Sequence, residues 1–394
     1  MKVAVVSHFY PPEPGAGALR VRSLVDALAR DGHEVTVVTP FPSFPRGSFA
    51  DGRRPMVRVE ENGRVRIVRL FSVLVPRMPG SRLVHWLSAA VSSSLYLLAS
   101  KERFDVVIIS SPPITLALPG LLGAMRHRSR LVVDLRDVFP DLPVAMGAWK
   151  ANSFAVRVLE RMLAHLYRRA DLVVAVTPTG LSHIERYGVD PARVVLARNA
   201  SERAPEMASI SRIRNGFTAA YAGNLGLTTD VDVLADAAAL VANDGITIEV
   251  IGDGAQRARL DERVHSEDIR NLKVRGSFPR AEAMAMVASA DISVIPLRKG
   301  LTESIPTKLY DAVSVGCPVV LVAEGEAQSE GASLGVICTP AGDAYALADE
   351  LRRLSSLDRD ALREMGAAGK KRLEGRANRE EIMAGLAGRI AALC

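Results

Sequence analysis

The sequence predicts an α/β protein of two doubly wound domains facing a cleft, on three observations. Its 394 residues exceed one ordinary core and suit two domains of about 200 residues each. Short apolar runs of strand length alternate with stretches whose apolar residues fall at helical spacing, the pattern of a parallel sheet with crossover helices. That alternation stops once, near residues 200–215, and then starts again, so each half builds its own sheet.

The first half opens with a strand at Val3 to Ser7. A Pro/Gly-rich loop runs through Gly17, and a helix follows with Val21, Leu24, Val25 and Leu28 on one face. Asp31-Gly32-His33 ends that helix and Val35 to Thr39 is a second strand, which predicts a right-handed β-α-β unit. Further strands are expected at Val106–Ser110, Leu131–Asp134, Leu172–Val176 and Val194–Ala197. After the break, strands are expected at Phe217–Gly223, Ile248–Ile251, Leu272–Arg275, Ile292–Pro296 and Val319–Val322, with helices over 231–242, from 255 and from about 306. Residues 343–394 read as three helical runs, one carrying Leu347, Leu351 and Leu354, the last carrying Met383, Leu386, Ile390 and Leu393. The expected organisation is two Rossmann-like domains, 1–204 and 205–376, with 377–394 a C-terminal helix that can cross back to the first domain.

Hydrophobic residues make up 48% of the chain and charged residues 24%, a globular composition that excludes collagen-like and disordered chains. Cys317, Cys338 and Cys394 lack the paired spacing of a zinc site or disulfide framework, which fits a reducing cytoplasm. The apolar run Val3-Ala4-Val5-Val6 turns polar at Ser7-His8 and is too short for a signal peptide. A net charge of +6 favours an anionic partner: a nucleotide, a diphosphate lipid, a membrane surface or a nucleic acid. Much of the excess precedes residue 83, in Arg46, Arg53, Arg54, Arg58, Arg64, Arg66, Arg69, Arg77 and Arg82. Without interleaved aromatics to stack bases, nucleic acid is the weakest of the four.

The densest chemical constellation runs from Glu303 to Val320. A loop acid, Glu303, precedes Pro306, Thr307 and Lys308 at the start of a short helix, and Asp311 lies about a turn and a half within it. Proline suits the first turn because it has no N–H to leave unsatisfied. The open amides, the positive dipole end and Lys308 together hold a diphosphate without a metal. The plainer alternative is an exposed Lys308–Asp311 ion pair beside a solvated Glu303. The loop follows a strand ending at Pro296, where open α/β sheets place their ligands.

Three glycine turns occupy the same kind of position. Gly15-Ala16-Gly17 joins the first strand to the first helix, where small residues let a phosphate or sugar approach the backbone. Gly223-Asn224-Leu225-Gly226 is its counterpart in the second domain, and Gly252-Asp253-Gly254 follows the next strand. In the first domain Asp134, Arg136 and Asp137 stand at a strand end as either a salt-bridged cluster or a polar site. His8 and His33 read as surface or capping residues. Asp230-Val231-Asp232 has the look of a metal-binding pair, but acids that open a helix suit its dipole, and no metal is assigned.

These residues resemble the retaining glycosyltransferases of sequence family 4, of GT-B fold, in the bacterial branch that builds O-antigen, capsule and exopolysaccharide and includes N-acetylfucosaminyltransferase-like enzymes. The resemblance covers nearly the whole chain. It rests on Tyr10-Pro11-Pro12-Glu13-Pro14-Gly15-Ala16-Gly17, Gly32-His33-Glu34-Val35-Thr36-Val37, Ser110-Ser111-Pro112-Pro113, Asp134-Leu135-Arg136-Asp137, Gly223-Asn224-Leu225-Gly226, Gly252-Asp253-Gly254 and Ile305-Pro306-Thr307-Lys308. It implies that Glu303 contacts the transferred sugar near the reacting carbon and that Asp311, where relatives carry Glu, hydrogen-bonds the ribose. Relatives also carry Arg and Lys for the diphosphate in the turn that here holds Asn224, which leaves that role to Lys308 and then Arg298. Gly252 lines the nucleotide pocket through its backbone, and Phe278 falls in the region that meets the base, or else in the core. A histidine common after the strand ending at Ser111 is absent, leaving Asp137 and Ser111 as the acceptor-side candidates.

The expected reaction moves a sugar from a nucleotide diphosphate sugar, UDP-linked by preference, to a saccharide or polyprenyl-diphosphate-linked acceptor in cell-surface polysaccharide synthesis, with no cofactor. A soluble acceptor, a sugar-nucleotide epimerase and a non-catalytic nucleotide-binding protein are the rivals. The expected location is the cytoplasm, including the inner membrane face. The stretch from Leu83 to Ser100 carries no charge, yet Ser92 to Ser94 and its length speak against a span. It reads first as a helix packed in the first domain, and second as an interfacial helix on an anionic leaflet.

Overall fold

The computed structural model describes residues 1–13, 15–43, 55–74, 81–138, 140, 141, 144, 149–201, 216–374, 376 and 378–394. Arg46, Arg53, Arg54 and Arg77, and residues 202–215 of the expected break, lie outside the described residues. The chain divides into two units, Met1–Arg198 with Arg379–Cys394, and Asn199–Asn378.

The first unit runs β1 (Lys2–Ser7), α1 (Ala16–Arg30), β2 (Glu34–Pro40), β3 (Val57–Asn62), β4 (Val65–Leu70), α2 (Ser81–Ala99), β5 (Val106–Ser111), α3 (Ala117–His127), β6 (Arg130–Leu135), α4 (Phe154–Arg169), β7 (Leu172–Ala175), α5 (Pro178–Glu185) and β8 (Val194–Leu196). Its strands make one sheet ordered β3-β4-β2-β1-β5-β6-β7-β8. All neighbours are parallel except the hairpin β3–β4. Alternation along β1 divides the core: Val3 and Val5 pack with Val21, Leu24 and Leu28 of α1, while Ala4 and Val6 pack on the other face with Leu97, Leu163 and Tyr167. A strand buried on both faces must be apolar at every position, which is why β1 reads as a continuous run.

The second unit runs β9 (Phe217–Ala222), α6 (Val231–Leu240), β10 (Ile246–Ile251), α7 (Arg257–Ser266), β11 (Leu272–Gly276), α8 (Arg280–Ser289), β12 (Ile292–Pro296), α9 (Thr307–Ser314), β13 (Val319–Val322), α10 (Gly325–Leu334), β14 (Ile337–Thr339), α11 (Ala344–Ser355) and α12 (Arg359–Leu373). Its sheet is wholly parallel, ordered β11-β10-β9-β12-β13-β14. Leu347, Leu351 and Leu354 of α11 are buried in its core beside Leu234 and Ala238 of α6. The last helix, α13 (Arg379–Ala391), buries Met383, Leu386 and Ile390 against α1 in the first unit.

The β3–β4 hairpin corrects the picture of a basic stretch before residue 83. Gly63 turns it with φ of +58°. Arg66 pairs with Glu61 and Glu102, and Arg69 is buried, with its Nε donating to Glu60 at 2.9 Å and its Nη2 to the Pro11 carbonyl at 2.6 Å. Two of the arginines counted there, Arg66 and Arg69, are thus paired with carboxylates.

Candidate active site

In the second unit the glycine turns bring two segments together. A side chain on Gly252 would meet the Gly223 carbonyl oxygen at 1.9 Å, and one on Gly254 the Leu225 carbonyl oxygen at 2.5 Å. Only glycine permits this approach, because the obstacle is backbone that cannot swing aside. Buried Gln256 locks the turn, its Nε2 donating to the carbonyls of Gly226 at 2.5 Å and Thr229 at 2.7 Å.

Lys308, in the first turn of α9, lies over that turn. Its Cε would stand 2.3 Å from a Cβ on Gly223. Nζ donates to the hydroxyl of Tyr221, the carbonyl of Asn224 at 3.3 Å and the hydroxyl of Thr229 at 3.2 Å, and sits 4.6 Å from the centre of the Tyr221 ring. The ammonium is thus fixed by three neutral acceptors and an aromatic face, with no carboxylate among these partners to cancel its charge. Arg298 leans on the same turn, donating from Nη1 to the Leu227 carbonyl at 3.5 Å.

The rest of the constellation is sorted by the fold. Pro306 stands at the cap position rather than in the first turn, and Thr307 opens α9 with no side chain capping it. Glu303 is half-buried in the β12–α9 loop. Its neighbour Thr302 is tied down, its carbonyl accepting from the Glu326 amide at 2.8 Å, with Gly325 leaving room for that contact. Asp311 is buried, and Arg280 grips it: Nη2 donates to Oδ1 at 2.7 Å and Nη1 to Oδ2 at 3.2 Å. The exposed Lys308–Asp311 pair is therefore overturned. Three residues apart on one helix, the two side chains find better partners on different neighbours. Phe278 is 39% exposed beyond β11, so it is not a core residue. Asp230 caps α6, accepting from the Val233 amide, and Asp232 pairs with Arg259 and Arg263.

In the first unit the strand-end cluster separates into buried and exposed parts. Asp134 is buried and held by Arg20, Nη2 to Oδ1 at 2.8 Å and Nε to both oxygens at 3.1 Å, while the Ser110 hydroxyl donates to Oδ2 at 3.1 Å. Asp134 is thus a structural ion pair rather than an acceptor-facing acid, and Ser111 is buried as well. Arg136 folds over α1: its Nη1 occupies the place of a Gly17 side chain, 1.7 Å from the ideal Cβ, and its Nη2 donates to the Pro112 carbonyl at 2.6 Å. The glycine at 17 makes room for this arginine. Gly15 has open space and φ of +124°, and Asp137 is exposed.

Sequence reasoning misplaced His8 and missed His85. His8 is buried, not a surface residue, and meets the rings of Phe9 at 4.8 Å, His85 at 4.7 Å and Trp86 at 6.4 Å edge-on. Burial first, then the charges of His85 and Arg136, hold its imidazole at about 3, so it is neutral at ordinary pH. His85 lies far along the chain from His8, and no local pattern announces the contact.

The fold agrees with that of known proteins. Residues 15–200 match the family described as "Glycosyl transferase 4-like domain", and residues 216–356 that described as "Glycosyl transferases group 1". WcaI of Escherichia coli (strain K12), provisionally named a colanic acid biosynthesis glycosyl transferase, is 25% identical over 86% of this chain and 86% of its own. The GDP-mannose-dependent alpha-mannosyltransferase of Mycolicibacterium smegmatis (strain ATCC 700084 / mc(2)155) is 26% identical over 81% of this chain and 79% of its own. Among solved structures, sucrose-phosphate synthase from Thermosynechococcus elongatus superposes with a TM-score of 0.77 at 17% identity, covering 100% of this chain and 99% of that one. Anabaena HepE in complex with UDP gives 0.70 at 15%, with 100% of both chains covered. Two parallel-sheet units with glycine turns at their strand ends define a GT-B protein. The chain is a glycosyltransferase, with a glycosyl transferase 4-like first domain and a group 1 second domain.

Proposed function

We propose that the chain transfers a sugar, with retention of anomeric configuration, from a UDP-sugar to a saccharide or lipid-linked saccharide in cell-surface polysaccharide synthesis. The observation that carries the donor half is the ammonium of Lys308, held above the Gly223 turn beside the uncapped start of α9. An anion clamp of this kind stabilises a leaving diphosphate as its charge develops, and needs no metal. Glu303 supports the cationic sugar. The bond from the anomeric carbon to the diphosphate oxygen breaks as the bond to the acceptor oxygen forms on the same face, and the acceptor's hydroxyl proton passes to the departing diphosphate. Asp311 receives the ribose hydroxyls, and Gly252, Phe278 and Arg298 line the nucleotide. Asp137 and Arg136 are the acceptor-side groups.

The names of relatives bear on the finer points. WcaI is named for colanic acid biosynthesis, which favours a surface polysaccharide over a soluble acceptor. HepE was solved with UDP, while the mycolicibacterial relative is named for GDP-mannose, so guanine is the rival base. Among the described residues no helix is long and apolar enough to cross a membrane; the enzyme works at the inner membrane face as a peripheral protein.

A thermal-shift series with UDP, GDP, UDP-sugars and GDP-sugars tests the donor, since saturating ligand raises stability by mass action. Stabilisation by UDP over GDP is expected. Silence with every nucleotide overturns the donor reading, and product formed without any acceptor makes the enzyme an epimerase.

A further inference from the structure

The helix α2 is built inside out. Its buried side carries mostly small or polar residues, His85, Ala89, Ala90, Ser93 and Ser94, with one leucine, Leu97. Its outward side carries Leu83, Val84, Leu87, Val91, Leu95 and Leu98, which are 39–63% exposed. Their spacing of three and four places them in one stripe down the helix, roughly 22 Å long at 1.5 Å per residue. Neighbouring α3 packs closely alongside, with Gly123 leaving room for Leu97, and adds exposed Leu118 and Met125. Isolated exposed leucines need no explanation, but a contiguous apolar patch marks a surface that something covers.

The charges say what covers it. Arg82 stands exposed at the start of the stripe and Arg126 and Arg128 at its end, with Arg126 donating from Nε to the Leu98 carbonyl at 3.3 Å. Neither α2 nor α3 contains an acidic residue, and the nearby Glu102 is paired with Arg66. Two copies meeting through this face would set arginine against arginine with no carboxylate on either helix to intervene. An apolar stripe between basic ends matches instead a lipid leaflet, whose acyl boundary takes the leucines while anionic headgroups take the arginines.

We infer that the α2–α3 face of the first unit docks on an anionic membrane leaflet, α2 lying in the plane of the interface. This deepens the reading of a lipid-linked acceptor by naming the surface that brings the enzyme to it. The arginines responsible are those at the ends of α2 and α3, since Arg66 and Arg69 of the hairpin are already paired.

The test is co-sedimentation of the full chain with vesicles of phosphatidylcholine alone and of phosphatidylcholine mixed with phosphatidylglycerol, at low and high salt. Binding to the anionic vesicles is expected, weakening with salt by on the order of fivefold for each basic residue screened. The double variant L87D/L95D should lose tenfold or more of that binding with its melting temperature and its stabilisation by UDP unchanged. Wild-type protein that stays in the supernatant with every vesicle overturns the inference, as does a wild-type dimer that L87D/L95D converts to monomer. Vesicle binding by a variant equal to wild type overturns it also. The UDP response is read separately, so a failed donor reading is not mistaken for a failed docking surface. Should the double variant not fold, the wild-type comparison between neutral and anionic vesicles still decides.

Discussion

Arg280, the first residue of α8, and Asp311, in the second turn of the neighbouring α9, form a two-pronged ion pair, with the carboxylate buried and the guanidinium partly open to solvent. Each carboxylate oxygen keeps a lone pair beyond the one given to arginine, so the fork orients Asp311 without exhausting it.

If that orientation serves the ribose, Arg280→Ala should weaken nucleotide binding through the sugar hydroxyls. Wild type should bind UDP more tightly than 2′-deoxy-UDP, and both Arg280→Ala and Asp311→Asn should bring the two affinities together, as calorimetric titration would report. Loss of the pair should also cost ~1–3 kcal/mol of stability. A retained preference for UDP in a folded Arg280→Ala protein makes the pair purely structural.

Glu303 is tested by its amide. Glu303→Gln keeps the shape and removes the charge, so donor binding should persist while turnover falls by on the order of 10² or more. Steady-state kinetics that find near-normal kcat remove Glu303 from the chemistry. Determining the anomeric configuration of the wild-type product by NMR tests retention directly.

The glycines divide by what opposes them. Gly252→Ala drives a methyl into the Gly223 carbonyl, at 1.9 Å, whereas Gly17→Ala meets the end of a flexible side chain, Arg136 Nη1 at 1.7 Å. The first should cost ~2–3 kcal/mol and the second clearly less. Chemical denaturation of the two variants checks the order, and equal losses contradict it.

The buried imidazole of His8 imposes a pH dependence. Its pKa in the folded chain, about 3, lies below the ordinary value of 6.5, so the unfolded chain binds the proton more readily across that window. Stability is therefore fully present above 6.5 and is lost as the pH falls towards 3, by about 2 kcal/mol between pH 7 and pH 5. His8→Gln, with nothing to titrate, should flatten this part of the curve in denaturation series at several pH values. An unchanged slope would remove His8 as its source.

Particular elements show how far local pattern reaches. The strands at Val106, Leu131, Leu172, Ile292 and Val319 were legible because a strand buried on both faces leaves an unbroken apolar run. The β3–β4 hairpin was not, although Val57, Val59, Val65 and Ile67 alternate around Gly63, because its arginines dominate the composition. Gly223, Gly252 and Lys308 were legible as candidate residues from turn chemistry and helix position. Their partners Tyr221, Gln256 and Arg280 were not, since a tyrosine in a strand or an arginine opening a helix has many ordinary uses.

By itself the sequence determined two parallel α/β sheets, the glycine turns at their strand ends, and a lysine and two acids around one short helix. Those features rest on backbone periodicity and dihedral limits that act over a few residues. Tertiary structure alone decided which charges are spent. Arg20 reaches Asp134 across 114 positions, Arg280 rather than Lys308 takes Asp311, Arg136 fills the space that Gly17 leaves, and the leucines of α2 face outward. Each outcome depends on which distant surfaces the packed sheets bring into contact, and on a buried charge finding the partner that repays its lost hydration.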